Sequence, residues 1–152
     1  MDNITTLWSI MLIIFAIITS VIDIKTKKVP NSLILVMFTA WLITMTPMLF
    51  INTQDATTKI FDSCLGLALG GGLFLLVYLI SRKGLGGGDV KFMAAAGLYL
   101  GFYSVVPAMF LGSALAALTV LILLLLKRIK RKDTIPLIPF LSVGMIVALL
   151  LR

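Results

Sequence analysis

The sequence contains no histidine and no glutamate, and its only cysteine is Cys64. A single cysteine cannot form an intramolecular disulfide, and without histidine a His/Cys zinc site cannot be built. The acidic residues are six aspartates in a chain of 152 residues. Any hydrolytic chemistry must therefore come from other groups, unless carboxylates bind a metal, and we expect neither a metal nor a cofactor.

Charged residues are also scarce: they make up 12% of the chain, whereas 61% is hydrophobic and the mean hydropathy is +1.16. Soluble domains contain roughly 45–50% apolar residues. This chain has too little polar surface to cover a water-soluble globule. We predict an all-α, polytopic membrane protein in which residues 1–152 form a single transmembrane domain.

Apolar runs of about 20 residues are long enough to cross a bilayer as helices. The uncharged stretch 92–126 is too long for one crossing, and Pro107 is expected to divide it because proline breaks a helix interior but fits a first turn. The sequence predicts six spans: 4–22, 32–51, 61–80, 92–103, 107–126 and 135–151. The fourth and the sixth of these are short for full crossings. Small residues four apart predict close helix contacts: Gly66/Gly70, Gly97/Gly101 and Gly112/Ala116.

Basic residues are concentrated in the loops after the first, third and fifth spans, which contain eleven of the thirteen. This bias predicts that the N-terminus is outside and the three loops are cytoplasmic. The net charge of +7 is therefore a consequence of membrane topology. Nucleic-acid binding is not expected, because no aromatic residues interleave with the basic ones. The eleven are Lys25, Lys27, Lys28, Arg82, Lys83, Lys91, Lys127, Arg128, Lys130, Arg131 and Lys132; the other two are Lys59 and Arg152.

Two aspartates are predicted at the same membrane face. Asp23 ends the first span and Asp89 begins the fourth, so two intervening crossings return the chain to the same side. Two carboxyls that share one proton cannot both ionise cheaply. The ionised carboxylate can then take a proton from a bound water while the protonated one polarises a scissile carbonyl. Such a pair hydrolyses peptides without histidine, thiol or metal.

Other interpretations of these residues stay open. Asp89 is a suitable helix N-cap, and Asp23 has the i, i+4 spacing to pair with Lys27. Lys25 and Lys91 are placed to anchor helix ends at the headgroups. The glycines at 84 and 86–88 are compatible with a flexible turn, or with bare backbone along which an extended substrate lies. The remaining acids are predicted in polar segments: Asp2, Asp55 and Asp62 outside, and Asp133 in a basic loop.

Two other functions are compatible with the composition, a small ion or proton transporter and a non-catalytic assembly partner. Ionisable groups within spans often mark conduction paths. The predicted spans carry Asp23 and Asp89 at their ends and no acid near a middle, which argues against transport.

Three segments resemble the type IV prepilin peptidases, relatives of the presenilin-like membrane aspartyl proteases. The segment from Gly86 to Lys91, GGGDVK, is similar to the G-x-G-D-x-K signature of that family. The segment DIKTKKVPN, which begins at Asp23, matches the pattern D-x-[KR]-x-x-x-[IV]-P-N, and IPLIPFLSVG (135–144) is similar to a P-x-x-P-F segment. The resemblance extends over most of the chain.

The resemblance implies that Asp23 and Asp89 form a catalytic pair in a plasma-membrane aspartyl endopeptidase. Its substrates would be prepilins or pseudopilins, whose short basic leaders are cut at the cytoplasmic face while their apolar helix stays in the bilayer. The residues implied in substrate binding or in the active-site backbone are Gly86, Gly87, Gly88, Lys91, Pro30 and Asn31. Many bacterial members also carry a domain with paired C-x-x-C motifs that is associated with N-methylation. With one cysteine, this chain is expected to resemble the short members and to lack methylation.

Overall fold

The computed structural model of the chain describes residues 3–81, 84–128 and 135–151. Within these ranges every regular element is a helix, so the all-α prediction is confirmed for them. The helices are α1 (Asn3–Thr26), α2 (Asn31–Ile51), α3 (Thr53–Ile80), α4 (Gly87–Leu125) and α5 (Ile138–Leu150). The first four are long and apolar enough to cross a membrane, whereas α5 has only 13 residues.

The long helix α4 is interrupted at Gly101, whose backbone has φ +71° and ψ −179°. The contacts of α3 show the direction of the chain on either side. Gly66 packs against both Gly97 and Gly101, while Gly70 packs against residues 93 and 105. Because residues 93 and 105 would be about 18 Å apart in a straight helix, the chain must fold back at Gly101. α4 therefore consists of a first arm (87–100) and a second arm (102–125) that run in opposite directions along α3.

The prediction that Pro107 separates the two spans is wrong, because the turn is at Gly101 and Pro107 lies within the second arm. Only glycine adopts the backbone angles of Gly101 without strain. The Asp62 carboxylate stabilises the turn, since its Oδ1 accepts a 3.0 Å hydrogen bond from the backbone amide of Phe102. That amide is one of the unpaired donors with which the second arm begins.

Asp62 is available for this contact because α3 begins at Thr53, several residues before the predicted start of the third span at 61. Asp62 therefore lies within a helix rather than in a segment between helices, and its place on the outer side stays a prediction. Only Asn52 separates α2 from α3, and the Asn52 side chain accepts a weak hydrogen bond from the Asp55 amide in the first turn of α3. Asp55 itself is exposed in that turn, as expected for a residue outside the apolar span.

The predicted small-residue faces do form close helix contacts. Gly66 and Gly97 bring α3 and the first arm of α4 together so closely that a Cβ at either glycine would collide with the other helix. Gly112 of the second arm faces Leu141 and Gly144 of α5 in the same way. These contacts make α3, both arms of α4 and α5 one closely packed unit, against which α1 and α2 are placed.

The alternating directions of the helices bring several helix ends to one side of the bundle. This side, called the site end below, contains the C-terminus of α1, the N-terminus of α2, the start of α4 and the start of α5. Three basic residues of the predicted loops, Lys25, Lys28 and Lys91, lie in or next to these segments. Six basic residues and two acids fall outside the described ranges: Arg82, Lys83, Lys130, Arg131, Lys132, Arg152, Asp2 and Asp133.

Candidate functional site

Asp23 lies in the last turn of α1 with only 4% of its surface exposed. Its carboxylate oxygen Oδ2 accepts a 3.2 Å hydrogen bond from the backbone amide of Ile138. That amide is in the first turn of α5, and unpaired amides at a helix N-terminus favour a neighbouring carboxylate. The Asp23 side chain therefore joins the end of α1 to the beginning of α5. The pairing with Lys27 that the spacing also allows stays a prediction.

Asp89 is the third residue of α4, and its side chain closes the N-terminus of that helix. The Asp89 carboxylate accepts a 3.2 Å hydrogen bond from the Gly86 amide, and the Asp89 amide donates to the Gly86 carbonyl at 3.1 Å. The prediction that Asp89 is the N-cap is therefore wrong: Gly86 is the N-cap, and Asp89 reaches back to it from the first turn. Gly87 and Gly88 correspondingly belong to the first turn of α4 and not to a loop.

The carboxyl groups of Asp23 and Asp89 are close enough to repel each other electrostatically. They come from different helices, and a backbone amide orients each of them. Asp23 is buried and Asp89 is half-buried, so little water screens the interaction. The structure thus brings together the two aspartates that the sequence placed at one face.

The connection between α1 and α2 packs directly on the start of α4. A Cβ at Gly88 would lie 2.9 Å from Val29 Cβ and 3.0 Å from Val29 Cγ2, so only glycine fits there without displacing the connection. Nearby, Lys91 Nζ donates a 3.0 Å hydrogen bond to Asn31 Oδ1. These two contacts hold the end of α1, and with it Asp23, against the helix that carries Asp89.

The other predicted site residues differ in how closely they are enclosed. Pro30 is the N-cap of α2, with an extended backbone (φ −69°, ψ 132°) that separates α2 from α1. A Cβ at Gly86 would touch only the Asp89 carboxylate, and one at Gly87 would meet no atom within 4 Å. The backbone at Gly87 therefore borders open space beside the carboxyl pair.

An apolar cavity of about 310 Å³ lies between α1 and α2 next to this site. Ile22 and Pro30 both contribute to its wall, so the cavity extends along α1 to the level of Asp23, although neither aspartate lines it. Its lining is apolar apart from one hydroxyl: Phe15, Ile18, Ile22, Pro30, Ser32, Leu33 and Val36.

Two contributors to the site were missed in the sequence, the Ile138 amide and the Val29 side chain. The amide had an indirect signal, because Pro139 follows Ile138 and proline is frequent in the first turn of a helix. Val29 had none, since its role follows from contact with Gly88. Among the described residues, no group of three or more His, Cys, Asp or Glu side chains could hold a metal ion.

A sequence profile of the type IV leader peptidase family matches residues 10–126. Curated relatives of similar sequence include three proteins named prepilin leader peptidase/N-methyltransferase. Those of Pectobacterium carotovorum subsp. carotovorum, Escherichia coli (strain K12) and Bacillus subtilis (strain 168) are 32%, 30% and 29% identical over 91%, 89% and 93% of this chain. The chain spans about half of their length, 49%, 59% and 54% respectively. No solved structure gives a significant match. The match over most of the chain shows that it belongs to the type IV leader peptidase family.

Proposed function

We propose that the chain is a membrane-embedded aspartyl endopeptidase that cuts short basic leaders from type IV prepilins or pseudopilins at the cytoplasmic membrane face. The observation that carries this proposal is that Asp23 and Asp89, from separate helices, lie at one end of the bundle, where the chain after α1 packs on the start of α4. The names of the relatives support the class of substrate. The methyl transfer in those names is a property of those proteins. Asp23 and Asp89 account for hydrolysis alone.

In the proposed reaction, the two carboxyls share one proton and hold one water between them. The ionised carboxylate removes a proton from the water as the oxygen attacks the scissile carbonyl, and the protonated carboxyl gives its proton to the carbonyl oxygen. When the tetrahedral gem-diol intermediate collapses, the C–N bond breaks, the leaving amine takes a proton from the pair, and one diol hydroxyl returns its proton to the pair as the C=O bond re-forms. The carboxyls then hold one proton again and the reaction is balanced.

The backbone amides of Ile138 and Gly86 orient the two carboxylates before substrate arrives. Each donates one hydrogen bond at 3.2 Å to Oδ2 of its aspartate. Because the amides belong to helix N-termini, they do not need to rotate into place as a hydroxyl or a water would. Such preorganised dipoles lower the reorganisation cost of the chemical step.

The proposed topology has six membrane segments, with the N-terminus outside and the site end facing the cytoplasm. Counting the two arms of α4 separately, the helices described here comprise six segments. The first arm and α5 are each only about 20 Å long, shorter than the ~30 Å hydrocarbon core. The bias of eleven basic residues toward the three predicted loops supports the cytoplasmic assignment and a plasma-membrane location.

The proposed substrate path follows the surfaces that the site leaves accessible. The apolar helix of a prepilin would stay in the bilayer beside α1 and α2, where the apolar cavity extends to the level of Asp23. The extended peptide around the scissile bond would lie along the open backbone at Gly87. This arrangement places the bond where both carboxyls can reach its water.

The proposal is tested by replacing each aspartate with asparagine in cells that co-express a prepilin. Asp23→Asn and Asp89→Asn each remove one ionisable member of the pair but keep the size of the side chain. We expect leader cleavage to fall by about 10²- to 10⁴-fold, the contribution typical of general acid–base catalysis. Asp55→Asn is the matched control, because Asp55 is exposed in the first turn of α3. Parent-rate cleavage by either dyad variant, with normal amounts in the membrane, would refute the assignment of that aspartate.

A further inference from the structure

A second polar contact joins α1 to α5 one helical turn away from Asp23. Ser20 Oγ and Ser142 Oγ are 2.8 Å apart, and Ser142 Oγ also lies 3.3 Å from the Ala16 carbonyl oxygen of α1. Ser20 precedes Asp23 by three residues and Ser142 follows Ile138 by four. The two serines, which we call the hydroxyl clasp, therefore lie directly beneath the Asp23–Ile138 hydrogen bond along the same helix–helix seam.

Counting protons shows that the clasp must join the two helices. Each hydroxyl supplies one proton, and each also has an acceptor in its own helix: the Ala16 carbonyl at 2.6 Å for Ser20 and the Ile138 carbonyl at 2.8 Å for Ser142. If both protons pointed at these carbonyls, two lone pairs would face each other across 2.8 Å. At least one proton therefore bridges the hydroxyl oxygens or reaches across to Ala16, and α1 stays bonded to α5 in either arrangement.

The far side of α5 is fixed independently of α1. Gly144 packs on the backbone of the second arm of α4, where a Cβ would collide with Ala108 and Gly112. α5 thus belongs mechanically to the unit that also carries Asp89. Asp23, on α1, is joined to this unit by the Ile138 amide, the contacts of Val29 and Asn31, and the hydroxyl clasp.

We propose that Ser20 and Ser142 are positioning residues for peptide hydrolysis, which hold α1 against α5 so that the Ile138 amide stays on the Asp23 carboxylate. This proposal rests on the proposed function. The serines touch neither the scissile bond nor the water; they act through Asp23. Because Ser142 is buried, water cannot replace the hydrogen bond that Ser142→Ala removes.

The consequence is kinetic. Without the clasp, the seam between α1 and α5 can open by small amounts, and the Asp23 carboxylate loses its fixed distance from Asp89. Orientation of the reacting groups matters for the chemical step, and a small misplacement is sufficient to slow it. Since the serines lie one turn deeper than the carboxyls, substrate affinity is expected to stay the same.

The test measures kcat and KM for Ser20→Ala, Ser142→Ala and the double variant. The full chain is reconstituted in liposomes, and the substrate is a synthetic peptide with a basic leader ending in glycine, followed by an apolar helix. We expect each single variant to lower kcat by about three- to tenfold with KM unchanged, as one lost hydrogen bond allows. The double variant is expected to be no worse than the poorer single variant, because Ser142 takes part in both contacts across the seam.

Two comparisons separate positioning from general structural support. Ser20→Thr keeps a hydroxyl at a half-buried position and is expected to restore kcat. Ser9→Ala removes a hydroxyl from the same helix whose hydrogen bond, 2.8 Å to the Thr5 carbonyl, stays within α1, and its kcat is expected to equal that of the parent. All rates are expressed per folded protein, measured by size-exclusion chromatography and thermal unfolding.

Several results would overturn the proposal. Parent-level kcat in both Ser→Ala variants would do so, as would losses that vanish after correction for folded protein, or additive losses in the double variant. Failure of the proposed function gives a different pattern, because Asp23→Asn or Asp89→Asn would then cleave normally. If the aspartate variants are inactive and the serine variants are normal, only the positioning role is wrong.

Discussion

Replacing Gly101 with alanine is predicted to destabilise the fold through both backbone strain and a collision with the Asp62 side chain. The backbone at Gly101 has φ +71° and ψ −179°, a region that costs other residues about 1–3 kcal/mol. A Cβ there would also collide with the Asp62 carboxylate. Displacing Asp62 breaks its hydrogen bond to Phe102, and hydrogen bonds to charged groups contribute about 1.5–3 kcal/mol.

The combined loss is about 3–6 kcal/mol, a large fraction of the 5–15 kcal/mol by which proteins are usually stable. For a chain of this size it corresponds to a melting temperature lower by roughly 10–20 °C. The assay is thermal unfolding in detergent, followed by circular dichroism. Gly72→Ala is the matched control: a Cβ there meets no atom within 4 Å, and alanine is the better helix former by about 0.5–1 kcal/mol.

Removing the Asp62 side chain separates the two causes. In an Asp62→Ala background, the collision is absent and only the backbone strain of Gly101→Ala remains. The second substitution is therefore expected to cost less there than in the parent chain. Equal melting temperatures for Gly101→Ala and Gly72→Ala would refute the turn and the antiparallel arms deduced from it.

Three further predictions concern the start of α4 and the contacts that hold the α1–α2 connection on it. Gly88→Ala is expected to slow leader cleavage by more than tenfold because its Cβ displaces Val29. Adding Val29→Gly to this variant is expected to restore part of the rate. No loss of rate in Gly88→Ala would contradict this packing. Gly87→Ala, with open space at its Cβ, is expected to keep parent stability and raise KM. Lys91→Met is expected to lower kcat by less than about tenfold, since one exposed hydrogen bond contributes about 1 kcal/mol. Adding Asn31→Ala to Lys91→Met is expected to cause no further loss of kcat, because both side chains make the same bond.

The membrane class, the helices and the meeting of the aspartates could be predicted because they depend on patterns that one sequence displays. Apolar runs set the spans, and the parity of those spans brought Asp23 and Asp89 to one end. The small residues at Gly66, Gly97 and Gly112 correctly indicated close helix packing. Each of these inferences depends on residue type and spacing along the chain.

The errors arose where a contact between distant residues overrides a local signal. Pro107 was the conspicuous helix breaker in 92–126, yet it lies inside the second arm. The actual turn needs both a glycine and the Asp62 side chain about 40 residues earlier, a pair that no local pattern reveals. The N-cap was misplaced for a related reason, since an aspartate caps a helix from its first turn as readily as from its N-cap.

The Ile138 amide could not be predicted because a backbone donor carries no residue-type signal. Its partner is Asp23, 115 positions away. Pro139 marks the start of α5 but not the side chain that this start would meet. The clasp between Ser20 and Ser142 is hidden in the same way, since isolated serines in apolar helices usually bond within their own helix.

The central claim is that Asp23 and Asp89 together hold one hydrolytic water. The most direct measurement is the separation of their carboxyl oxygens in an experimental structure of the chain in lipid, with an uncleavable leader peptide bound. Two groups that share a water bring their nearest oxygens within about 5.5 Å, twice the length of a hydrogen bond. A separation within that limit, with water density between the oxygens, is the predicted result. Carboxyls held further apart with protein packed between them would contradict the account.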